Sequence, residues 1–312
     1  GVEYLVYLEN GGAVELVKAG FAGPIHTSAG TCDLLSYMWP DSGTIQESEV
    51  EFLNRRNQQR GKEAVAPIYT QADAEKALES LRPVLFESWV EAGPGARARY
   101  WNADHILGAS SIKAEVPTGL PDPRLLRLLF SGDIGPEHKL FHPDPEAPHN
   151  LDFVFCEATY GGRRRAKLTP DDRRQLLADE INSAFANGGV LLIPAFAVER
   201  TQELLSDLVR LFDSGAIPRV PVFLDSPLAI RATEVFTRHM GSLEQESGSR
   251  PEFRHPQFHF TETMEQSVAI DRLQGRMIVI AGSGMCEAGR IRYHLKNHLW
   301  RPNATVLLVG FQ

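Results

Sequence analysis

The chain has 312 residues, enough for about two domains, and its content of 43% hydrophobic and 23% charged residues is typical of a globular protein. A net charge of −8 argues against nonspecific nucleic-acid binding over the whole surface, but not against an enzyme that holds phosphates through bound cations. No apolar run approaches the roughly 18–20 residues that span a bilayer, and no signal-peptide pattern is present, so we expect a cytoplasmic protein. Three scattered cysteines exclude a disulfide framework and a Cys-rich zinc site.

The first half of the chain, up to about residue 160, mixes strands and helices. Alternating apolar residues predict a strand over residues 4–8, and a helix over residues 13–20 follows and ends at glycine. Two charged amphipathic helices are predicted next. One starts after Thr44, and the other is capped by Thr70 or Asp73.

Two apolar segments close this half, "RLLRLLFSGDIG" (124–135) and "LDFVFCEATYGG" (151–162). Each is predicted to be a buried strand that ends at a polar loop. The segment between them (136–150) is rich in Pro and His, which indicates a surface loop. The first half is therefore expected to place polar side chains at the ends of strands.

From about residue 166 helices and apolar strands alternate regularly. The first helix has Thr169 as its N-cap and Pro170 at its first position. Helices between apolar strands predict a parallel sheet covered on both faces, hence an α/β class. Such sheets bind ligands at the carboxyl ends of their strands, which here carry the segments "PAF", "DSP" and "GSGM".

Four stretches carry side chains suited to metal or anion binding. "NADHILGAS" places His105 in a turn rich in small residues, and "FSGDIG" places Asp133 at a strand tip between glycines. "CEATYGG" places Glu157 at the end of the next strand, and "AGSGMCEAGR" (281–290) is a glycine-rich loop with backbone N–H groups that could hold an anion. Carboxylate and imidazole at successive strand ends suit a divalent metal.

Each stretch also has a structural interpretation. A single histidine usually serves as a hydrogen-bonding residue, an aspartate between glycines as a turn residue, and a glutamate at a strand end as a loop cap. The glycine-rich loop lacks the spacing and the lysine of a phosphate-binding P-loop. The four stretches together therefore carry more weight than any one of them.

The chain resembles the β-CASP branch of the metallo-β-lactamase superfamily, whose members are mostly RNA-processing nucleases. The resemblance implies an α/β fold: an αββα metallo-β-lactamase sandwich, incomplete in this sequence, over residues 1–165, and a β-CASP domain on a mainly parallel sheet over residues 166–312. It rests on motifs in the family's order: NADHILGAS, LLFSGDIG, CEATYGG, VLLIPAFAVERTQELL, VFLDSPLA, IAGSGMCEAGRIRYHL and VLLVGFQ.

The resemblance also implies residue roles. His105 matches a ligand of one zinc ion, and Asp133 matches the catalytic aspartate that bridges two. Glu157 matches the acidic residue that acts beside these ligands. His294 matches no family ligand, which favours a structural role. The loop implied to bind a substrate phosphate consists of Ser283, Gly284 and Met285.

One family motif, His-x-His-x-Asp-His-x-Gly, is absent from the sequence. Two explanations stay open: a degenerate, inactive protein, or a sequence that omits parts of a longer chain. We favour the second explanation. The absent portions would carry sheet strands as well as ligands, whereas decay of a site by point substitutions would spare the strands. An inactive site would also have no need of His105 and Asp133, which remain. Alignment on the following helix sets Gly11 at the motif's glycine, and the ligand positions are then taken by Tyr4, Val6, Leu8 and Glu9.

The implied cofactors are two Zn²⁺ ions, and Mn²⁺ is an alternative. A form of the protein depleted of these ions is a further option. Such ions lower the pKa of a bridging water and orient the phosphate, while a histidine protonates the leaving oxygen. The implied function is an endonucleolytic or 5′-exonucleolytic ribonuclease with its site in the interdomain cleft. The alternatives are an inactive RNA-binding or scaffold subunit and a DNA-directed nuclease. RNA is the expected partner, no membrane is expected, and the oligomeric state stays open, with a homodimer as one option.

Overall fold

A computed structural model shows the described residues arranged as two compact units. Unit 1 comprises residues 1–137 and 144–163, and unit 2 comprises residues 138–143 and 164–312. Across the described ranges, no helix combines the length and apolar character needed to cross a membrane. The residues that the structure describes are 5–6, 12–119, 124–137, 139–162, 168–186, 188–241, 243 and 251–310.

Unit 1 contains helices and two sheets. Its helices are α1 (Gly12–Lys18), α2 (Ala29–Gln59) and α3 (Gln71–Leu78). The first sheet is parallel, with strands β1 (Leu5–Val6), β2 (Ile25–Ser28) and β3 (Leu81–Val84) in that order. The second sheet contains, in order, β4 (Trp89–Gly93), β5 (Ala96–Asn102), β6 (Ser110–Pro117), β7 (Leu125–Phe130) and β8 (Phe153–Phe155). Neighbouring strands from β4 to β7 are antiparallel, and β8 is parallel to β7.

The core of unit 1 packs the helices against the first sheet. Trp39 of α2, Tyr69 before α3 and Ile25 of β2 are buried in one apolar cluster. The second sheet buries Tyr100, whose hydroxyl donates to the backbone carbonyl of His26 on β2 at 2.9 Å. This bond joins the two sheets of the unit, which agrees with a mixed α/β class. The metallo-β-lactamase sandwich remains a prediction.

Local sequence signals place two helix starts correctly. Thr70 is the N-cap of α3 and forms a capping box with Asp73. Thr169 accepts the N–H of Asp172 before the helix that begins at Pro170. These predictions are confirmed, because caps depend on contacts within one turn of the chain.

The predicted start of α2 after Thr44 is wrong. The helix begins at Ala29 with Ser28 as its N-cap and continues through Pro40. Gly43 lies so close to the N-terminus of α3 that an added Cβ would sit 2.6 Å from the backbone nitrogen of Gln71. Tight packing of α2 on α3 therefore outweighs the helix-breaking tendency of Pro40 and Gly43.

Three burial predictions are also wrong. All three residues of β8, at the edge of its sheet, are exposed, and of the six residues of β7 only Leu129 is buried. In the loop over 136–150, which was predicted to lie on the surface, Leu140, Phe141 and His142 are buried. His142 Nε2 lies 3.0 Å from a carboxylate oxygen of buried Glu199, so this part of the loop contributes to the core of unit 2.

Unit 2 is built on a fully parallel five-stranded sheet, as the alternation of helices and strands predicts. Its strand order is β11-β10-β12-β9-β13. β9 and β12 are buried along their whole length, because helices connect the strands. The strands are β9 (Val190–Pro194), β10 (Val222–Asp225), β11 (Phe258–Phe260), β12 (Met277–Ala281) and β13 (Thr305–Val306), and the helices are α4 (Pro170–Ala186), α5 (Arg200–Asp213), α6 (Pro227–Arg238), α7 (Met264–Ile270) and α8 (Ile291–His298).

Two elements of unit 2 were not predicted from the sequence. Strand β11 has only three residues, too few for a period to be recognised. Helix α7 has a capping box from Thr263 to Gln266, and the T-x-x-Q pattern could have revealed it. Both lie next to β10, whose carboxyl end they surround with polar side chains.

Candidate metal and anion site

His105, Asp133 and Glu157 come together because their strands end at one edge of the second sheet of unit 1. β5 and β7 are both antiparallel to β6 and therefore run in the same direction, and β8 runs parallel to β7. His105 follows β5, Asp133 follows β7, and Glu157 follows β8. The topology therefore gathers three side chains that lie far apart in the sequence.

Two glycines let the loops that carry these residues pack closely. The N–H of Gly135 donates to the carbonyl of Ala103 at 2.8 Å, and a Cβ at Gly135 would lie 1.8 Å from the carbonyl oxygen of Asp104. On the other side of the His105 turn, the Gly108 carbonyl accepts a hydrogen bond from the Ser28 hydroxyl at 2.7 Å. The His105 turn is thus held between the Asp133 loop and the start of α2.

The geometry of His105 and Asp133 fits two ligands of one divalent ion. His105 Nε2 lies 3.8 Å from Asp133 Oδ2, and both side chains are less than half exposed. Ligand atoms at about 2.0–2.2 Å from a tetrahedral zinc ion are separated by roughly 3.4 Å, so a small adjustment would bring both into contact with one ion. An imidazole and a carboxylate form a donor set that zinc and manganese accept.

Glu157 positions the Asp133 loop. One carboxylate oxygen accepts the N–H of Ile134 at 3.3 Å, and the other accepts the N–H of Thr159 at 2.9 Å. The Thr159 amide, with smaller contributions from Ile134 and the charge of His105, lowers the pKa of Glu157. The side chain is therefore a carboxylate that fixes the residue after Asp133, which suits support of a ligand better than proton transfer.

The predicted phosphate-binding loop lies in unit 2, after β12. The N–H of Ser283 donates to the carbonyl of Ala288, and its hydroxyl accepts the N–H of Ala288 at 3.3 Å. The Met285 side chain is 40% exposed. Within the described part of the chain, the N–H of Met285 donates to no other residue, so one amide of the loop is available to an anion.

A buried polar network below this loop was missed by the sequence reasoning. Asp225, at the end of β10, is fully buried, and its carboxylate accepts hydrogen bonds from Thr261, Ser267, Arg290 and His294. Burial alone would raise the pKa of Asp225, but these hydrogen bonds, led by that from His294, lower it to about 2. We call these five residues the Asp225 network. Arg290 ends the 281–290 loop, so the network fixes one end of that loop.

His294 is fully buried between two carboxylates. Its Nε2 lies 2.7 Å from Asp225 Oδ2, and its Nδ1 lies 2.8 Å from Asp271 Oδ1. Burial disfavours the charged ring, but the two carboxylates outweigh it and raise the pKa of His294 to about 9. His294 is therefore an imidazolium at neutral pH, and its contacts are those of a structural residue.

Asp271, His294 and His298 also form a group of three potential metal ligands. Their ligand atoms lie within 4.8 Å of one another. Asp271 Oδ1 already accepts hydrogen bonds from His294 and from His298 Nε2, the latter at 3.0 Å. A metal ion here would have to displace the proton that His294 shares with Asp271, so the hydrogen-bonded arrangement explains the group better than an ion does.

The structure thus groups His105, Asp133 and Glu157, while Ser283, Gly284 and Met285 lie in the other unit. Their assigned roles remain predictions. Among the positions aligned with the missing metal motif, Tyr4, Leu8, Glu9 and Gly11 lie outside the described residues. Val6 is part of the short strand β1.

Comparison with known proteins identifies a family domain and several relatives. A family model for the Beta-Casp domain matches residues 201–312. A ribonuclease of Thermus thermophilus is 31% identical over 304 residues, which cover 96% of this chain and 63% of that protein. The chain therefore carries a Beta-Casp domain over residues 201–312.

Two further relatives match over nearly the whole of this chain. A transcription termination factor of Methanosarcina mazei, FttA, is 28% identical over 98% of this chain and 46% of its own length. An RNase J-like protein of Methanocaldococcus jannaschii is 26% identical over 98% of this chain and 65% of its own length. The chain thus spans about half to two thirds of the length of these relatives.

Proposed function

We propose that this protein, which carries a Beta-Casp domain, is a metal-dependent RNA phosphodiesterase. The observation that carries the proposal is the convergence of His105, Asp133 and Glu157 at one edge of a sheet, in a chain similar to proteins named as a ribonuclease and as an RNase J-like protein. Cleavage is endonucleolytic or 5′-exonucleolytic, and the metal is zinc or manganese. RNA is the substrate class, with DNA as an outcome that the test distinguishes.

Each residue has a defined task in this proposal. His105 and Asp133 would hold the metal. Glu157 keeps the Asp133 loop in place through the N–H of Ile134. When bound, the ions lower the pKa of a water and neutralise charge on the scissile phosphate. The Ser283–Met285 loop would bind a substrate phosphate through the backbone amide of Met285.

A non-catalytic RNA-binding or scaffold subunit is the second candidate. Its support is the absence of a His-x-His-x-Asp-His motif from these 312 residues, which leaves His105 and Asp133 as the matched metal ligands. Such a subunit would bind RNA without metal. The two candidates therefore differ in whether RNA is cleaved when metal is supplied.

The test uses protein expressed from its complete gene, incubated with labelled RNA and DNA with and without chelator. We expect chelator-sensitive RNA cleavage that Asp133→Ala abolishes. Asp152→Ala is the matched control, because Asp152 immediately precedes β8 of the same sheet and pairs with Arg127 rather than with His105. RNA binding without cleavage, even when zinc or manganese is supplied, would favour the scaffold subunit. Preferential DNA cleavage would change the substrate class, and full activity of Asp133→Ala would overturn the site.

A further inference from the structure

Phe196 follows β9 at the carboxyl end of the parallel sheet and has a 44% exposed side chain. Its backbone is nevertheless held firmly. The Phe196 carbonyl accepts a hydrogen bond from the Thr201 hydroxyl at 2.7 Å, and the next carbonyl, of Ala197, accepts one from Gln202 at 3.1 Å. An exposed aromatic side chain on a fixed backbone loses little entropy when a ligand covers it.

Two glycines lie against the Phe196 ring. A Cβ at Gly284 would be 2.8 Å from Cδ2 of the ring, and a Cβ at Gly310 would be 3.7 Å from Cε2. Any side chain at position 284 would therefore push the ring away. Because Gly284 belongs to the predicted phosphate-binding loop, the ring is in direct contact with that loop, and Met285, the next residue, is also exposed.

We propose that Phe196 stacks on a nucleobase of single-stranded RNA while the adjacent loop holds the phosphate backbone. This inference rests on the proposed function. Aromatic rings stack on bases of any identity, because every base has a π-face. A phenyl ring has no hydrogen-bonding atom, so the contact adds affinity without sequence preference. A single ring beside two glycines offers far less contact area than the ~800 Å² that each partner buries in a protein–protein interface. This small area favours a base as the occupant.

The test measures binding of a short single-stranded RNA to the full-length protein in chelator, so that cleavage plays no part. We expect Phe196→Ala to weaken binding between roughly 5-fold and 150-fold, the range for losing one base–aromatic stack. Phe196→Trp should retain wild-type affinity. Trp300→Ala is the matched control, because Trp300 is a 74% exposed aromatic that lines a cavity beside Gly189, at the opposite end of β9.

Two further readouts separate stacking from a structural role. The tryptophan of the Phe196→Trp variant should lose fluorescence when RNA binds, beyond any change in the wild type. An abasic site scanned along the RNA should weaken wild-type binding at one position and leave Phe196→Ala unaffected at that position. Equal affinity of Phe196→Ala and wild type, or equal losses for both proteins at every abasic position, would overturn the inference. Metal-independent binding that depends on Phe196 would support it even if no RNA cleavage is found.

Discussion

Replacing Asp225 by asparagine removes the negative charge at the centre of the Asp225 network. The carboxylate is fully buried, lies 2.7 Å from His294, and lies 2.6 Å from Arg290. Asparagine has nearly the same volume but only one accepting oxygen, and its NH₂ group would face a donor. The substitution therefore leaves two cations buried or half-buried with too few acceptors.

The expected loss in the free energy of unfolding of unit 2 is about 3–5 kcal/mol, the range for breaking a buried ion pair by removing one partner. The pKa of His294 supports this size. Its rise from 6.5 to about 9 corresponds to about 3 kcal/mol of interaction, shared between Asp225 and Asp271. The charge of Arg290 adds to it.

Urea denaturation followed by circular dichroism gives the free energy, and hydrogen exchange of the amides in β10 and β12 assigns the loss to unit 2. The control is Glu234→Gln on α6, which breaks an exposed ion pair with Arg231. That variant should lose less than about 1 kcal/mol. If Asp225→Asn loses no more than Glu234→Gln, the Asp225 network does not stabilise the unit and our reasoning is refuted.

Three other perturbations test the described packing and electrostatics. The pKa of His294 is raised to about 9, so the stability that its charged ring contributes is complete below pH 6.5 and is lost as the pH rises through 9. The urea midpoint of unit 2 should therefore fall over this interval. The His294→Gln variant should show a smaller fall. Gly43→Ala should destabilise unit 1 by about 1–3 kcal/mol, because the new methyl meets the backbone of Gln71; helix propensity alone predicts stabilisation, so a raised thermal midpoint would contradict the packing. Thr70→Ala should lower the free energy of unfolding by about 1 kcal/mol, because the N-cap of α3 is lost. An unchanged thermal midpoint would mean that Asp73 stabilises the start of α3 without the Thr70 side chain.

Sequence reasoning succeeded where the decisive contacts are local or periodic. The caps at Thr70 and Thr169 lie within one helical turn, and the parallel sheet of unit 2 follows from regular alternation. It failed where packing overrides local preference, as at Pro40 and Gly43 inside α2. It also failed for the burial of β7 and β8, because an apolar run alone does not show what covers the faces of a strand.

The residues of the candidate sites also divide into those that the sequence predicted and those that it missed. His105, Asp133 and Glu157 were predicted to act together because each lies in a recognisable motif, and the structure places all three at one edge of a sheet. The Asp225 network was missed because its partners are 36 to 69 residues away in the sequence, and only the folded sheet brings them together. Phe196 was missed because its contact with Gly284 depends on neighbouring strands β9 and β12.

Metal occupancy measured together with activity tests the central claim most directly. Protein from the complete gene would be stripped by chelator, then titrated with zinc or manganese while bound metal and RNA cleavage are both recorded. We predict that cleavage rises with occupancy, saturates at two ions per chain, and is lost with most of the bound metal in Asp133→Ala. RNA cleavage by the metal-free protein at the same rate would contradict the account.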